Sequence, residues 1–207
     1  RSLVERLAVL PGVIDGLGVV CVVLAAARPI EVEAEPPRRL GRDLLLCIDV
    51  SSSMAAEDLA AGATRLAVGK ALAARFVTGR SDDRIGFVTF ARHADLGCPP
   101  TADHEALLQL LADTTLVARD GPEDATAIGA AVATAAAVLQ RSRSASKVVV
   151  LLTDGEENVA TPGAVDEIAP GHAALWCREL SVGVHTIAVG STGGQSAGRQ
   201  VVVDPTA

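Results

Sequence analysis

The sequence predicts a single α/β domain built on a doubly wound, mostly parallel sheet. Three observations point there. Leu44-Leu45-Leu46-Cys47-Ile48-Asp49 and Lys147-Val148-Val149-Val150-Leu151-Leu152-Thr153-Asp154 are apolar runs without alternation, the pattern of strands covered on both faces. Both runs end in a carboxylate, and helical periods separate them from further strand-like segments. Aromatic residues make up only 2% of a chain that is 49% hydrophobic, so the core must be assembled from Ala, Val, Leu and Ile. At 207 residues the chain is long enough for one full α/β core plus an extra segment.

Leu7 to Ala27 is mostly apolar, flanked by Arg6 and Arg28 and interrupted by Pro11 and Asp15. It is expected to be a membrane-anchoring helix, ending a first region of residues 1–28. The Asp costs about 2.5–3.5 kcal/mol on insertion scales, which the surrounding Val and Leu offset. Residues 29–42 are rich in Pro, Glu and Arg and read as a linker. The domain proper is expected over residues 43–190.

Its opening strand, Asp43 to Val50, runs into Ser51-Ser52-Ser53 and an acidic loop with Glu57 and Asp58. Thr64 is placed to cap a helix over Arg65 to Thr78, with Leu66, Gly69, Leu72, Ala73, Phe76 and Val77 on its apolar face and Gly69 packed close to the sheet. Arg84 to Phe90 is the second strand. Ala94 to Leu96 follows after too few residues for a parallel crossover, so it is expected to pair antiparallel at an edge, with Pro99-Pro100 stopping the sheet. Thr101 or Asp103 caps a helix through Leu111. Asp120-Gly121-Pro122-Glu123-Asp124 is a turn, and Thr126 stands before an Ala-rich helix reaching Arg141, where a hydroxyl is ordinarily a cap. After the strand that ends at Thr153-Asp154-Gly155, a helix over His172 to Leu180 leads to a strand over Val184 to Val189. Residues 191–207 read as a flexible tail in which Val201-Val202-Val203 supplies a last strand, six in all.

The formal net charge of -7 argues against a nucleic-acid partner, because there is no basic surplus to displace counterions from phosphate. Cys21, Cys47, Cys98 and Cys177 show no metal or redox spacing and read as small buried hydrophobes. His93 and His104 stand without companions at ligand spacing and read as surface residues.

Asp49, Ser51, Ser53, Thr126 and Asp154 are oxygen side chains that a doubly wound sheet brings to its carboxyl edge, where such sheets bind ligands. An all-oxygen set of hydroxyls and few direct charges suits Mg2+, which keeps several waters, and leaves the cation electrophilic toward an acidic group. Asp49 at a strand end also resembles the nucleophile of haloacid-dehalogenase-type, Mg2+-dependent phosphohydrolases. The second acid expected two residues later is Ser51, and Lys70 and Lys147 are poorly placed for phosphate. A third reading is a structural scaffold whose site stays empty.

The Asp49-Val50-Ser51-Ser52-Ser53 run, Thr126 and Thr153-Asp154-Gly155 resemble the metal-ion-dependent adhesion site (MIDAS) of von Willebrand factor A (vWA) domains, over about Asp43 to Gly190. The resemblance implies a six-stranded, Rossmann-like sheet with one antiparallel edge strand and helices on both faces. It also implies a Mg2+ site, with Mn2+ or Ca2+ as alternatives, in which Ser51, Ser53 and Thr126 touch the metal and Asp49 and Asp154 act through water. The implied function is binding a protein partner through its carboxylate, with no catalysis.

Within the family the chain is most similar to the membrane-anchored bacterial Bat (aerotolerance) group. The matching pieces are Arg28-Pro29, Ser53-Met54, Glu57-Asp58, Thr64-Arg65-Leu66, Asp83-Arg84-Ile85-Gly86, Pro100-Thr101-Ala102-Asp103 and Thr126-Ala127-Ile128-Gly129. That likeness implies a place in the cell membrane and names MoxR-type ATPases and other vWA proteins as candidate partners. Arginines flank the apolar segment on both sides and so do not choose a membrane face; the extracytoplasmic one is the expectation. Three departures stand out: Ala125 where Gly commonly precedes the Thr, a longer loop around Pro170-Gly171, and the lack of the group's C-terminal helix and second span, expected of a fragment or a shortened member.

Overall fold

The computed structural model describes residues 10–27, 41–155, 157–160, 167–190 and 201–202. The chain divides into two compact units, Arg1–Pro37 and Arg38–Ala207.

In the first unit, helix α1 spans Leu10–Ala27. Pro11 explains its start: a proline is tolerated in the first turn, whereas deeper inside its ring would strike the carbonyl four residues back. Ile14, Leu17, Val19, Val20, Val22 and Val23 are all more than half exposed. Eighteen residues rise about 27 Å, and about 20 residues are needed to cross a bilayer. Among the described residues no helix is long and apolar enough to cross a membrane. The span expected from Leu7 is therefore not reproduced, and residues 7–9 lie outside the described ones.

The second unit is a sheet of order β3-β2-β1-β4-β5-β6. Strand β1 (Asp43–Asp49) is buried throughout and lies in the centre, parallel to β2 (Arg84–Phe90) on one side and β4 (Lys147–Thr153) on the other. Strand β5 (Val182–Ala188) runs parallel to β4. Alternate residues of β1 face two cores. Leu44, Leu46 and Ile48 pack with Leu66, Ala73 and Val77 of α2 (Arg65–Thr78) and with Leu107 and Leu111 of α3 (His104–Asp113). Leu45 and Cys47 pack with Ala131, Ala135 and Leu139 of α4 (Ile128–Gln140) and with Ala173 and Cys177 of α5 (Pro170–Glu179). The alanines let α4 sit close to the sheet, which is how a core nearly without aromatics fills its space. The described cysteines are free; Cys47, Cys98 and Cys177 are buried as expected, whereas Cys21 is exposed, because it lies on α1 among exposed apolar side chains rather than in the core of the sheet.

Several elements differ from expectation. Strand β3 extends over Ala94–Thr101, straight through Pro99-Pro100. An edge strand accommodates proline because one side of its backbone needs no ladder partner. Its antiparallel register with β2 shifts on both sides of Phe87. Gly86 permits this, since a Cβ there would lie 2.4 Å from the Cys98 carbonyl oxygen. Leu72 is 48% exposed rather than part of the α2 core face. Gly69 is not a tight contact either, the nearest atom to a Cβ there being Met54 Cε at 3.9 Å. Helix α5 begins at Pro170, which occupies its first turn, instead of at His172. The two-residue strand β6 (Val201–Val202) pairs antiparallel with β5, so both edges of the sheet are antiparallel where one was expected. The other tail residues and most of the linker lie outside the described residues.

Candidate functional site

Strand β1 lies where the strand order reverses, with β2 and β4 as its two neighbours, and the loops after β1 and β4 open at this switch point. The exit from β1 is pinned on both sides: Val50 N–H donates to the Phe90 carbonyl at 2.9 Å, and the Val50 carbonyl accepts from Val117 N–H at 3.0 Å. One 3-10 turn, Ser52–Ala55, follows, anchored by the fully buried Met54.

Asp49 is completely buried. One carboxylate oxygen accepts from Ser51 N–H at 2.9 Å and the other from the Thr153 hydroxyl at 2.5 Å. Burial pushes its pKa above the ordinary carboxylate range; the hydrogen bonds from Ser51 and Thr153 oppose this, and the nearby Asp154 charge adds to it. A carboxylate whose folded pKa is raised contributes stability that is fully present below its unfolded pKa and is lost as pH rises through the folded one. In chelator, the Asp49 contribution is therefore expected to decline as pH climbs past the ordinary carboxylate range, and Asp49→Asn to flatten that part of the melting-temperature profile. An unchanged slope in the variant would contradict the assignment.

The Ser51 and Ser53 hydroxyls are 2.9 Å apart, and Ser53 donates to Asp154 Oδ1 at 2.7 Å. Four of the five predicted side chains are thus joined, Asp49 through the Ser51 backbone. Thr126 completes the edge from the α4 side. Its backbone is clamped by Asn158, which accepts from Thr126 N–H at 2.8 Å through its side chain and donates its own N–H to the Thr126 carbonyl at 3.2 Å. A Cβ on Gly155 would lie 3.6 Å from the Thr126 hydroxyl, placing that hydroxyl against the turn after Asp154. Thr126 is not the helix cap it was expected to be. Ala127 holds the cap position of α4 and makes no side-chain cap bond.

Sequence reasoning missed the groups that hold these five in place. Asp124 receives Ser52 N–H at 2.9 Å and Asp120 N–H at 2.8 Å, which ties the turn before α4 to the serine loop. These backbone donors, Ser52 foremost, hold its pKa below the usual carboxylate value. Glu157 accepts from Gly129 N–H in the first turn of α4 and from Val159 and Ala160 N–H. Arg65 donates to Asp154 Oδ2 at 2.6 Å and, through two nitrogens, to both oxygens of Asp58 at 2.8 and 2.6 Å. Only Thr64-Arg65-Leu66 and Glu57-Asp58 carried a signal, as points of likeness to the Bat group. Asn158 and Glu157 read merely as polar loop, because a side chain that serves a distant backbone leaves no local pattern. Neither expected surface histidine joins the site. His93 is exposed beside Glu123, and His104 Nε2 lies 3.0 Å from the Asp83 carbonyl oxygen.

Among the described residues no group of three or more His, Cys, Asp or Glu side chains is placed to hold a metal ion. The donor set at this edge is of a different kind, three hydroxyls and two carboxylates. It fits a hard cation in two respects. All of its donors are oxygens, and the buried Asp49 lies close enough to Asp154 to feel its charge.

Residues 44–157 match the family model described as von Willebrand factor type A domain. An uncharacterized protein of Borreliella burgdorferi is 30% identical over 152 residues, covering 73% of this chain and 42% of that protein. The chain spans about half the length of the curated relatives it matches. Among solved structures, an aerotolerance-related membrane protein from Bacteroides fragilis is 25% identical with a TM-score of 0.57, covering 80% of this chain and 83% of that one. Proximal thread matrix protein 1 from the mussel byssus, with a zinc-occupied MIDAS motif, shares the fold at 21% identity and a TM-score of 0.58, over 73% of this chain and 36% of that one.

Proposed function

The chain belongs to the von Willebrand factor type A domain family, and from that premise we propose that the β1/β4 edge is a metal-dependent protein-binding site. Ser51, Ser53 and Thr126 would hold a Mg2+, or Mn2+ or Ca2+, directly, with Asp49 and Asp154 acting through water. When bound, the cation supplies a positive charge, little quenched by neutral hydroxyls, for a carboxylate on a partner protein. The observation that carries this reading is the run Ser51 Oγ, Ser53 Oγ, Asp154 Oδ1, with contacts of 2.9 and 2.7 Å across two strand ends. The mussel protein's zinc-occupied motif supports the capacity of this fold's edge for a divalent cation.

The phosphohydrolase reading fares worse. Asp49 is fully buried with both oxygens already accepting hydrogen bonds, an unsuitable state for a nucleophile. Titration of Mg2+ into chelator-treated protein tests the binding reading: stoichiometric heat is expected, and silence with both Mg2+ and Mn2+ would refute it. Steady hydrolysis of a phosphate ester, abolished by Asp49→Asn, would favour the enzyme.

The exposed apolar side chains of α1, and the naming of the Bacteroides fragilis neighbour as a membrane protein, support membrane attachment through the N-terminal segment. The chain is expected in the membrane fraction after expression. Recovery in the soluble fraction without detergent would count against attachment.

A further inference from the structure

Asp154 is the one acidic group of the candidate site that already has a cation. Its side chain is fully buried, and its Oδ2 is taken by the Arg65 guanidinium at 2.6 Å, while Oδ1 takes the Ser53 hydroxyl. Arg65 itself is 19% exposed and is fixed from several directions. Its backbone N–H donates to the Ala56 carbonyl at 2.8 Å, its Nε and second terminal nitrogen grip Asp58, and Gly190 packs so near that a Cβ there would lie 3.5 Å from the guanidinium carbon. Asp49, by contrast, is held by neutral donors, among them the Ser51 backbone N–H and the Thr153 hydroxyl, so the two site carboxylates are neutralised unequally.

From this geometry we infer that Arg65 is a built-in counter-ion of the metal site: it holds Asp154 in place before metal binds and opposes a cation afterwards. The inference rests on the metal-binding reading for its second half alone. Three consequences follow from charge and geometry. Before metal is bound, a buried carboxylate without a partner is strongly unfavourable, and Arg65 removes that difficulty. Because the guanidinium occupies Asp154 Oδ2, this carboxylate is kept from turning its second oxygen toward the site. A fixed positive charge beside the cation position also lowers cation affinity, so the site trades metal affinity for a pre-formed edge. Asp58 tunes this balance, since it shares the same guanidinium and draws its charge away from Asp154.

Two measurements test it. In chelator, a double-mutant cycle of Arg65→Gln and Asp154→Asn reads the coupling by thermal unfolding. Arg65→Gln is expected to lower the melting temperature, and adding Asp154→Asn to recover part of the loss. Strict additivity would overturn the counter-ion role whether or not the protein binds metal. In Mn2+ titrations, Arg65→Gln is expected to bind roughly tenfold more tightly than the wild type. Asp58→Asn, which keeps the arginine and leaves its charge wholly to Asp154, is expected to bind more weakly and serves if Arg65→Gln does not fold. Equal or weaker binding by Arg65→Gln, or tighter binding by Asp58→Asn, would overturn the opposition to metal. Absence of Mn2+ binding in the wild type and every variant would instead refute the metal-binding reading, leaving the cycle in chelator to judge the counter-ion.

Discussion

Replacing Ser51 and Ser53 together by Ala is expected to abolish Mg2+ binding while leaving the domain folded. The two hydroxyls are the direct ligands that the β1 loop would supply, and removing them takes away two of the three neutral oxygens proposed to hold the cation. The fold is spared because the backbone contacts of this loop do not depend on the hydroxyls. Ser51 N–H still reaches Asp49, Ser52 N–H still reaches Asp124, and Asp154 keeps Arg65. The lost hydrogen bonds cost about 1 kcal/mol each. At one hundred times the dissociation constant, a ligand stabilises a protein by about 2.7 kcal/mol, a rise of about 5–10 °C in melting temperature for a domain of this size. Wild type is expected to show such a rise on adding Mg2+ and the double variant none. A rise of equal size in both would remove Ser51 and Ser53 from the site.

Gly129→Ala is expected to be the most damaging conservative change near the site. A Cβ there would lie 1.7 Å from the Ile168 carbonyl oxygen and 2.8 Å from the Ala169 carbonyl carbon, both backbone atoms ahead of α5. Neither can swing aside as a side chain would, so α4 must move off the loop that leads into α5. Such overpacking costs about 1–3 kcal/mol, and about 2 kcal/mol corresponds to a melting temperature lower by about 4–8 °C. The displacement would also pull Gly129 N–H from Glu157 and shift Thr126, three residues upstream, so metal affinity should fall with stability. Gly171→Ala in α5 is the matched control, since a Cβ there meets nothing within 4 Å. It is expected to be neutral or stabilising by a few tenths of a kcal/mol. Similar losses in both variants would contradict the backbone clash at Gly129 as the cause, since helix propensity alone favours Ala at both positions.

The central strands, three of the helices and the meeting of Asp49, Ser51, Ser53 and Asp154 at one sheet edge were legible in the sequence because each follows from a local regularity. Unbroken apolar runs mark β1 and β4, Thr64 and Asp103 each accept the amide three residues on as their cap positions predict, and the carboxylates stand where those runs stop. What was not legible depends on edges and distant partners. The prolines of β3 signalled a stop, yet an edge position tolerates them, and the shift in register that makes room is set by Gly86 meeting Cys98 across the sheet. Thr126 looked like a cap because a hydroxyl before a helix usually is one; Asn158, 32 residues later, takes its amide instead. Arg65 read as the first residue of a helix, and nothing near it in the chain shows that it reaches Asp154.

The most direct test of the central claim is a crystal structure of the chain grown with Mn2+ and measured for anomalous scattering. A single anomalous peak is expected between the Ser51, Ser53 and Thr126 hydroxyls, about 2.0–2.2 Å from each, with Asp49 and Asp154 one water further away. A well-ordered cluster with no peak there, or a peak bound only by exposed carboxylates elsewhere, would contradict it.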